Sequence, residues 1–430
     1  MNTKTVTSAE IREKHKTYML SCVANYYEEP LVLTRGEGKY VYDAEGEQYL
    51  DFFCGILTTM LGHSHREVIA RTKAQLDRLQ HVSTLYQTVP MVALAEKMAA
   101  ITPGNLKKSF FTNSGTEANE CAVMIAKTHT GCEDVIALRH AYSGRSSLAM
   151  SLTGHSNWRQ AGASVPGIRH ALSPYCYRCP MHLKYPECEI ACARDVEELI
   201  LTTTPGKVAC FLAEPIQGVG GFITPPPEYF GITAEIVRKY GGLFIADEVQ
   251  TGFGRTGGKM FGIEHWGVEP DIMTCAKGFA NGLPIGGTIT TAEIAECMTG
   301  LTISTFGGSP VTCTAALATI DVVERDDLVR NVAEVGHYFF DALYDLQEKY
   351  PIMGDVRGKG LMIGIEMVKE NRVPNPEAVL KIFEMSKKKR LLLGKGGLHG
   401  NVLRVTPPLN ISRGDVDEAV RILDEVLAEI

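Results

Sequence analysis

The chain has 430 residues, 45% of them hydrophobic and 22% charged, with 43 basic and 50 acidic side chains giving a net charge of −7. These are ordinary values for a globular protein, and the length allows two or more folding units of roughly 100–200 residues. There is no dense basic stripe to hold nucleic acid, no run of roughly 18 apolar residues to span a membrane, and no apolar core of a signal peptide in residues 1–20. Glu10 and Glu13 also argue against a mitochondrial transit peptide, so a cytoplasmic location is expected. Cys54, Cys121, Cys210, Cys275 and Cys313 stand singly in apolar settings, as buried thiols do in a reducing compartment.

In chain order, residues 38–51 alternate as a hairpin does around the turn residues 43–46. Residues 109–112 read as a strand, followed by a helix with Ala118, Cys121, Ala122 and Ile125 on one face. Further strands are expected at 135–138, 209–213, 243–246 and 272–275, with helical patterns between them, such as 229–240. This is the rhythm of an α/β fold with a mostly parallel sheet covered on both faces, whose sites lie beyond the carboxyl ends of the strands.

From about Pro310 the texture changes. A helical stretch over 311–349, broken near 325–328, precedes a Gly-rich segment at 355–366, a helix near 376–389 and a strand at 402–406. The expected division is a large domain over 66–312 and a small α+β domain over 313–430, joined by the N-terminal segment 1–65.

Three short stretches carry chemistry. The apolar run 243–246 ends in two carboxylates, Asp247 and Glu248, and Lys277 follows another apolar run between the small residues Ala276 and Gly278. A buried acid for a pyridine nitrogen and an accessible amine for a Schiff base are what pyridoxal phosphate needs. Each has a plainer reading, a strand-end charge pair or a solvated surface lysine. Thr112-Asn-Ser-Gly-Thr-Glu-Ala-Asn119 opens a helix, where Gly115 admits a close ligand and Ser114 and Thr116 offer hydroxyls to a phosphate. The same residues also suit ordinary helix capping through Glu117.

Taken together with Glu214-Pro-Ile-Gln-Gly218, Ala246-Asp-Glu-Val-Gln-Thr-Gly-Phe-Gly-Arg255, Ala276-Lys-Gly278 and Thr305-Phe-Gly-Gly-Ser-Pro310, these motifs make the chain resemble a class III (ω-amino acid) aminotransferase of the fold-type I pyridoxal-phosphate superfamily. The resemblance runs from Asp51-Phe-Phe-Cys-Gly-Ile to Arg404-Val-Thr-Pro-Pro-Leu. Glu214-Pro-Ile-Gln-Gly, 354–366 and 392–397 look closest to the alanine–glyoxylate and β-amino acid branch.

The resemblance implies a role for each matching residue. Lys277 would form the Schiff base and carry the proton, Asp247 would hold the ring nitrogen and Gln250 the phenolic oxygen. Ser114, Gly115 and Thr116 would bind the phosphate, and Tyr142 and Val249 would pack the two ring faces. Thr305 would reach the phosphate of a neighbouring subunit, which implies a homodimer or a tetramer. Arg404 would receive the substrate carboxylate, and Glu214, beside the cofactor, would engage Arg404 when no carboxylate is present. Phe53, Ile56, Leu57 and Tyr86 would line the substrate pocket. Where the family has Tyr-His-Gly this chain has Tyr142-Ser143-Gly144, so the histidine's polar contact is lost or altered.

The implied reaction is a ping-pong amino transfer from a small amino acid or an ω- or β-amino acid to a 2-oxo acid, with pyruvate or glyoxylate favoured. A 2-oxoglutarate-dependent 4-aminobutyrate or ornithine type is an alternative, as is a lyase or aminomutase on the same cofactor. Cys176, Cys179, Cys188 and Cys192 form two close pairs whose spacing suits a zinc site, a packed Pro-rich loop or disulfides. A zinc-bearing scaffold without the cofactor is the remaining alternative, but the expected chemistry needs no metal and none is assigned.

Overall fold

The computed structural model describes residues 7–23, 25–160 and 164–430. The N-terminal hairpin forms as β1 (Leu33–Glu37), β2 (Tyr40–Asp43) and β3 (Gln48–Asp51), paired antiparallel in that order. Asp43 closes its turn: Oδ1 accepts from the backbone N–H groups of Glu45 (3.1 Å) and Glu47 (2.8 Å).

Seven strands build the central sheet: β4 (Lys108–Thr112), β5 (Val135–Leu138), β6 (Ile168–Ala171), β7 (Cys210–Ala213), β8 (Leu243–Asp247), β9 (Ile272–Cys275) and β10 (Gly286–Thr290). Their order is β4-β10-β9-β8-β7-β5-β6; β9 through β6 are parallel, and β10 runs antiparallel to both neighbours. The short apolar runs become β5, β7 and β9, buried at every position because helices cover both faces. Two strands escape sequence reading. In β6 the apolar run is interrupted by Arg169 and His170, which an edge strand tolerates. In β10 bulk is excluded, since a Cβ on Gly286 would lie 2.4 Å from the Ser114 carbonyl oxygen.

Helix Pro310–Arg325 packs on helices Arg66–Arg78 and Val89–Ile101 and ends where Asp327 adopts φ 48°, so that Leu328–Lys349 starts afresh. Strands β11 (Met353–Lys359), β12 (Met362–Met367), β13 (Leu391–Leu392), β14 (Gly394–Gly396) and β15 (Val402–Val405) follow. A second sheet has the order β11-β12-β15-β14, while β13 pairs in parallel with β3 and so ties the two ends of the chain together.

Glu366 on β12 is fully buried. Its carboxylate accepts from Arg357 Nη1 (2.7 Å), Arg178 Nε, Tyr175 Oη and Asn401 Nδ2 (3.3 Å). A buried carboxylate deprived of a partner is costly, so Arg357→Met is expected to destabilise the fold by about 3–5 kcal/mol, read as a lower urea midpoint with an unchanged slope. A loss below about 1 kcal/mol would show that Arg178 alone neutralises Glu366.

The same network anchors the cysteine segment through Tyr175 and Arg178. All twelve cysteines are free thiols. Cys176, Cys179, Cys188 and Cys192 line one cavity of about 20 Å³, and among the described residues no three His, Cys, Asp or Glu side chains stand as a metal-holding group. Burial, then the neighbouring thiols, push Cys176 up to about 11 and Cys192 up to about 12, so both stay protonated at neutral pH.

Candidate active site

Strands β8 and β9 are adjacent and parallel, so the residues that follow them share one end of the sheet. Asp247 ends β8 and is 3% exposed. Its Oδ2 accepts from Asn119 Nδ2 at 2.8 Å and its Oδ1 from the Val249 N–H at 3.1 Å. Asn119 is itself fixed, because its Oδ1 accepts from Thr274 Oγ1 (2.8 Å) and its Nδ2 also donates to the Ser143 carbonyl (3.0 Å). Lys277 follows β9 in the left-handed region (φ 47°), half-buried, and its amine forms no hydrogen bond among the described residues.

Both side chains line a cleft of about 710 Å³ together with Ser114, Gly115, Thr116, Tyr142 and Val249. A cleft of this size suits a cofactor with a small substrate. Helix Gly115–Thr130 presents its N-terminus there. Ser114 is its N-cap, the Oγ accepting from the Glu117 N–H at 3.2 Å, so the capping and ligand-binding readings of this motif coexist. Gly115 lets the helix start approach Val249, whose methyls would lie 3.1 Å from an added Cβ. Tyr142 lies edge-on to Trp158 at 5.5 Å. Its neighbour Ser143 is 3% exposed with an Oγ that has no partner among the described residues.

A second group stands beside the cleft. Glu214 (3% exposed) accepts from the Tyr142 N–H at 3.0 Å through Oε1 and from the Gly218 N–H at 2.8 Å through Oε2. Arg404 (2% exposed) lies 5.3 Å over the Phe53 ring and 4.7 Å over that of Phe222, and its Nη2 donates to Gln250 Oε1 at 2.8 Å. Burial lowers Arg404 and the Glu214 charge raises it in return, but no direct ion pair joins the two among the described residues, and the guanidinium donates to Gln250.

Ile56 (44% exposed), Tyr86 (66% exposed) and the exposed Thr305 are not part of this chain's cleft lining, and Leu57 is buried in the core. Thr58, Arg145 and the 282–285 turn do line the cleft and carried no sequence signal. Asn119 had one: it closes the motif that begins at Asn113.

Burial raises both acids. Glu214 is pushed up to about 7 by burial and then by the Asp247 charge, and Asp247 is raised by burial against its hydrogen bonds. Burial lowers Lys277 from its usual 10.5, with Asp247 and Glu214 opposing. The amine is thus more available as a nucleophile than a surface lysine. Covalent loading of a carbonyl ligand is expected to accelerate with pH through a midpoint below 10.5, followed by the appearance of visible absorbance; a midpoint at 10.5 or above would contradict this.

A family model described as aminotransferase class-III matches residues 22–427. The chain belongs to the class III aminotransferases. This aminotransferase is 42% identical over 426 residues to alanine–glyoxylate aminotransferase 2 homolog 2, mitochondrial, of Arabidopsis thaliana, covering 98% of this chain and 87% of that one. It is 38% identical over 442 residues to the human alanine–glyoxylate aminotransferase 2, mitochondrial (97% and 86% covered). An amine transaminase from an uncultivated Pseudomonas species, solved in its PLP-bound form, superposes with a TM-score of 0.89 at 32% identity, over 96% of this chain and 98% of that one.

The cofactor is pyridoxal 5′-phosphate, on which the family depends. The residues present fit it. Asp247 is buried with no ion-pair partner among the described residues, Lys277 has an unbonded amine, and Ser143 keeps an unpartnered hydroxyl beside the helix N-terminus.

Proposed function

We propose that this aminotransferase moves an amino group from a small amino acid or an ω- or β-amino acid to pyruvate or glyoxylate, in two half-reactions. The observation that carries the assignment of roles is the pair Asp247 and Lys277 on one cleft wall, with Asp247 locked by Asn119. The named relatives support the alanine–glyoxylate choice.

Bound in the cleft, pyridoxal phosphate supplies a conjugated ring that accepts the electron pair left on the substrate carbon when its proton departs. Lys277 holds the cofactor and then takes and returns that proton through Nζ. Asp247 would supply a negative charge for the ring nitrogen. Ser114, Gly115 and Thr116 would hold the phosphate, Tyr142 and Val249 would pack the ring, and Glu214 holds the Tyr142 backbone through its N–H. Arg404 takes the substrate carboxylate, for which a guanidinium offers a two-pronged match.

The active unit in this reading is a homodimer. Leu85 (69%), Tyr86 (66%), Val89 (83%), Ile303 (58%) and Phe306 (63%) are exposed on two segments joined by hydrogen bonds between Thr84 and Ser304, an apolar face that calls for a second copy. Thr305 and Tyr86 on that face would then serve the neighbouring site, with Ile56 at the mouth of its own. No helix among the described residues is long and apolar enough to cross a membrane. The free thiols support a reducing compartment, and we take the cytoplasm as that compartment.

The test is to expose the cofactor-loaded enzyme to alanine, β-alanine or 4-aminobutyrate singly, then to pyruvate, glyoxylate or 2-oxoglutarate. Bleaching of the visible band by a donor and its return with pyruvate or glyoxylate is the expected outcome. Return with 2-oxoglutarate alone would move the acceptor assignment to the 4-aminobutyrate and ornithine type. Ammonia release without transfer would place the enzyme among the lyases.

A further inference from the structure

We propose that the chain carries a second small-molecule site, set where the cysteine segment meets the second sheet, for a flat aromatic ring bearing a phosphate monoester. It is separate from the catalytic cleft and does not rest on the roles proposed there.

A cavity of about 550 Å³ opens at that junction, within the range that takes a small ligand. It shares no lining residue with the catalytic cleft. Residues 174–177 and 183–185 of the cysteine segment form one wall, and β11 with Arg372 forms another. The amino transfer uses none of these residues.

Charge selects one half of the ligand. Arg357 is fully engaged: Nη1 meets Asp355 (2.6 Å) and Glu366 (2.7 Å), Nη2 donates to Tyr175 Oη (3.0 Å) and Nε to the Gly221 carbonyl (2.9 Å). Asp355, the one acid in the lining among the described residues, is thereby answered. Lys184 and Arg372 are not, since neither forms an ion pair or a hydrogen bond among the described residues. Two unanswered cations match a phosphate monoester, which carries about −1.5 to −2 at neutral pH. A single carboxylate would leave one of them unpaired.

Aromatic surface selects the other half. Tyr175, Tyr177 and Tyr185 all line the cavity, with Arg372 Cζ 5.1 Å over the Tyr177 ring and Arg357 Cζ 4.8 Å over that of Tyr175. Rings and guanidinium groups on one surface favour a flat ring with an anionic tail. Tyr177 Oη has no acceptor among the described residues, which leaves it able to donate to a phosphate oxygen. Gly354 on β11 makes room for that hydroxyl, because a Cβ there would lie 2.3 Å from it. Arg372 (φ 58°) follows Asn371 (φ 57°), so two successive side chains occupy the left-handed region where glycine is the ordinary choice. That strained turn brings Arg372 to the cavity.

The probe is phenyl phosphate, titrated by calorimetry into the cofactor-loaded enzyme, with phenol and inorganic phosphate titrated separately as its two halves. Phenyl phosphate is expected to bind once per chain and at least about tenfold tighter than either half. Arg372→Met is expected to weaken it at least about tenfold while turning over amino donor at the wild-type rate, since this exposed residue lies outside the catalytic cleft. Lys184→Met serves in the same way if the first variant does not fold. Unchanged affinity in these variants overturns the inference, as does phenyl phosphate binding no tighter than inorganic phosphate. Absence of binding at about 1 mM overturns it too. A variant that loses turnover together with the probe would place the probe in the catalytic cleft and end the case for a second site. None of these outcomes touches the amino-transfer reading, which the half-reactions test by themselves.

Discussion

Lys277→Ala is expected to lower kcat by at least about 10⁴-fold, the upper range for removing a positioned general acid–base group, here compounded by loss of the covalent anchor. The variant keeps a Cβ at the same left-handed backbone position (φ 47°), so the strain there is unchanged and the fold should survive. Removing a buried amine whose charged form is disfavoured by burial costs the apo-protein little. Two measurements check this: single-turnover kinetics with the preferred donor, and dialysis, which should strip the cofactor from the variant but not from the wild type. Retention of more than about 1% of wild-type kcat would assign the proton transfer to another group and overturn the role given to Lys277.

Asp247→Asn should lower kcat by about 10–10²-fold. An ion pair at ~4 Å is worth about 4 kcal/mol gross at an effective dielectric near 20, and a net fraction of that sets the loss. The substitution preserves shape, but Asn119 and the Val249 N–H donate to different oxygens of Asp247, so the amide keeps one of these bonds and turns its NH₂ group toward the other donor. In the apo-enzyme the sign reverses. Burial raises Asp247 above its usual 3.8, so its folded form binds a proton more tightly than its unfolded form and loses stability as pH rises through the folded value. At neutral pH relief of that burial penalty opposes the lost hydrogen bond, so the apo-variant should melt within a few degrees of the wild type although its turnover falls. A variant that melts lower while retaining turnover would make Asp247 a structural acid only.

The parts of this site that could be read from the chain are those where a polar residue interrupts an apolar run. Asp247 and Lys277 stand out because β8 and β9 carry no other charge, and a charge at the end of such a strand must emerge where the sheet meets its loops. The helix start at Gly115 was legible for a related reason, since a strand followed by a short Gly-containing turn and a helical face has few other meanings. The edge strand β6 and the glycine-led β10 were not, because Arg169 and His170 hide the pattern in one and close approach to the Ser114 carbonyl removes bulk from the other.

What sequence by itself determined is the inventory: which strands form the sheet interior, which motif begins the helix, which acid and which lysine line the cleft, and the family that these motifs share. Tertiary structure decided the partnerships. Asn119 reaches Asp247 across 128 positions of sequence and Arg404 reaches Gln250 across 154. Glu214 turns its oxygens to two backbone N–H groups rather than to Arg404 because the 214–218 loop folds back on itself. Those choices depend on which donors and acceptors remain unpaired once the backbone has closed around them, and local residue patterns carry no record of that competition.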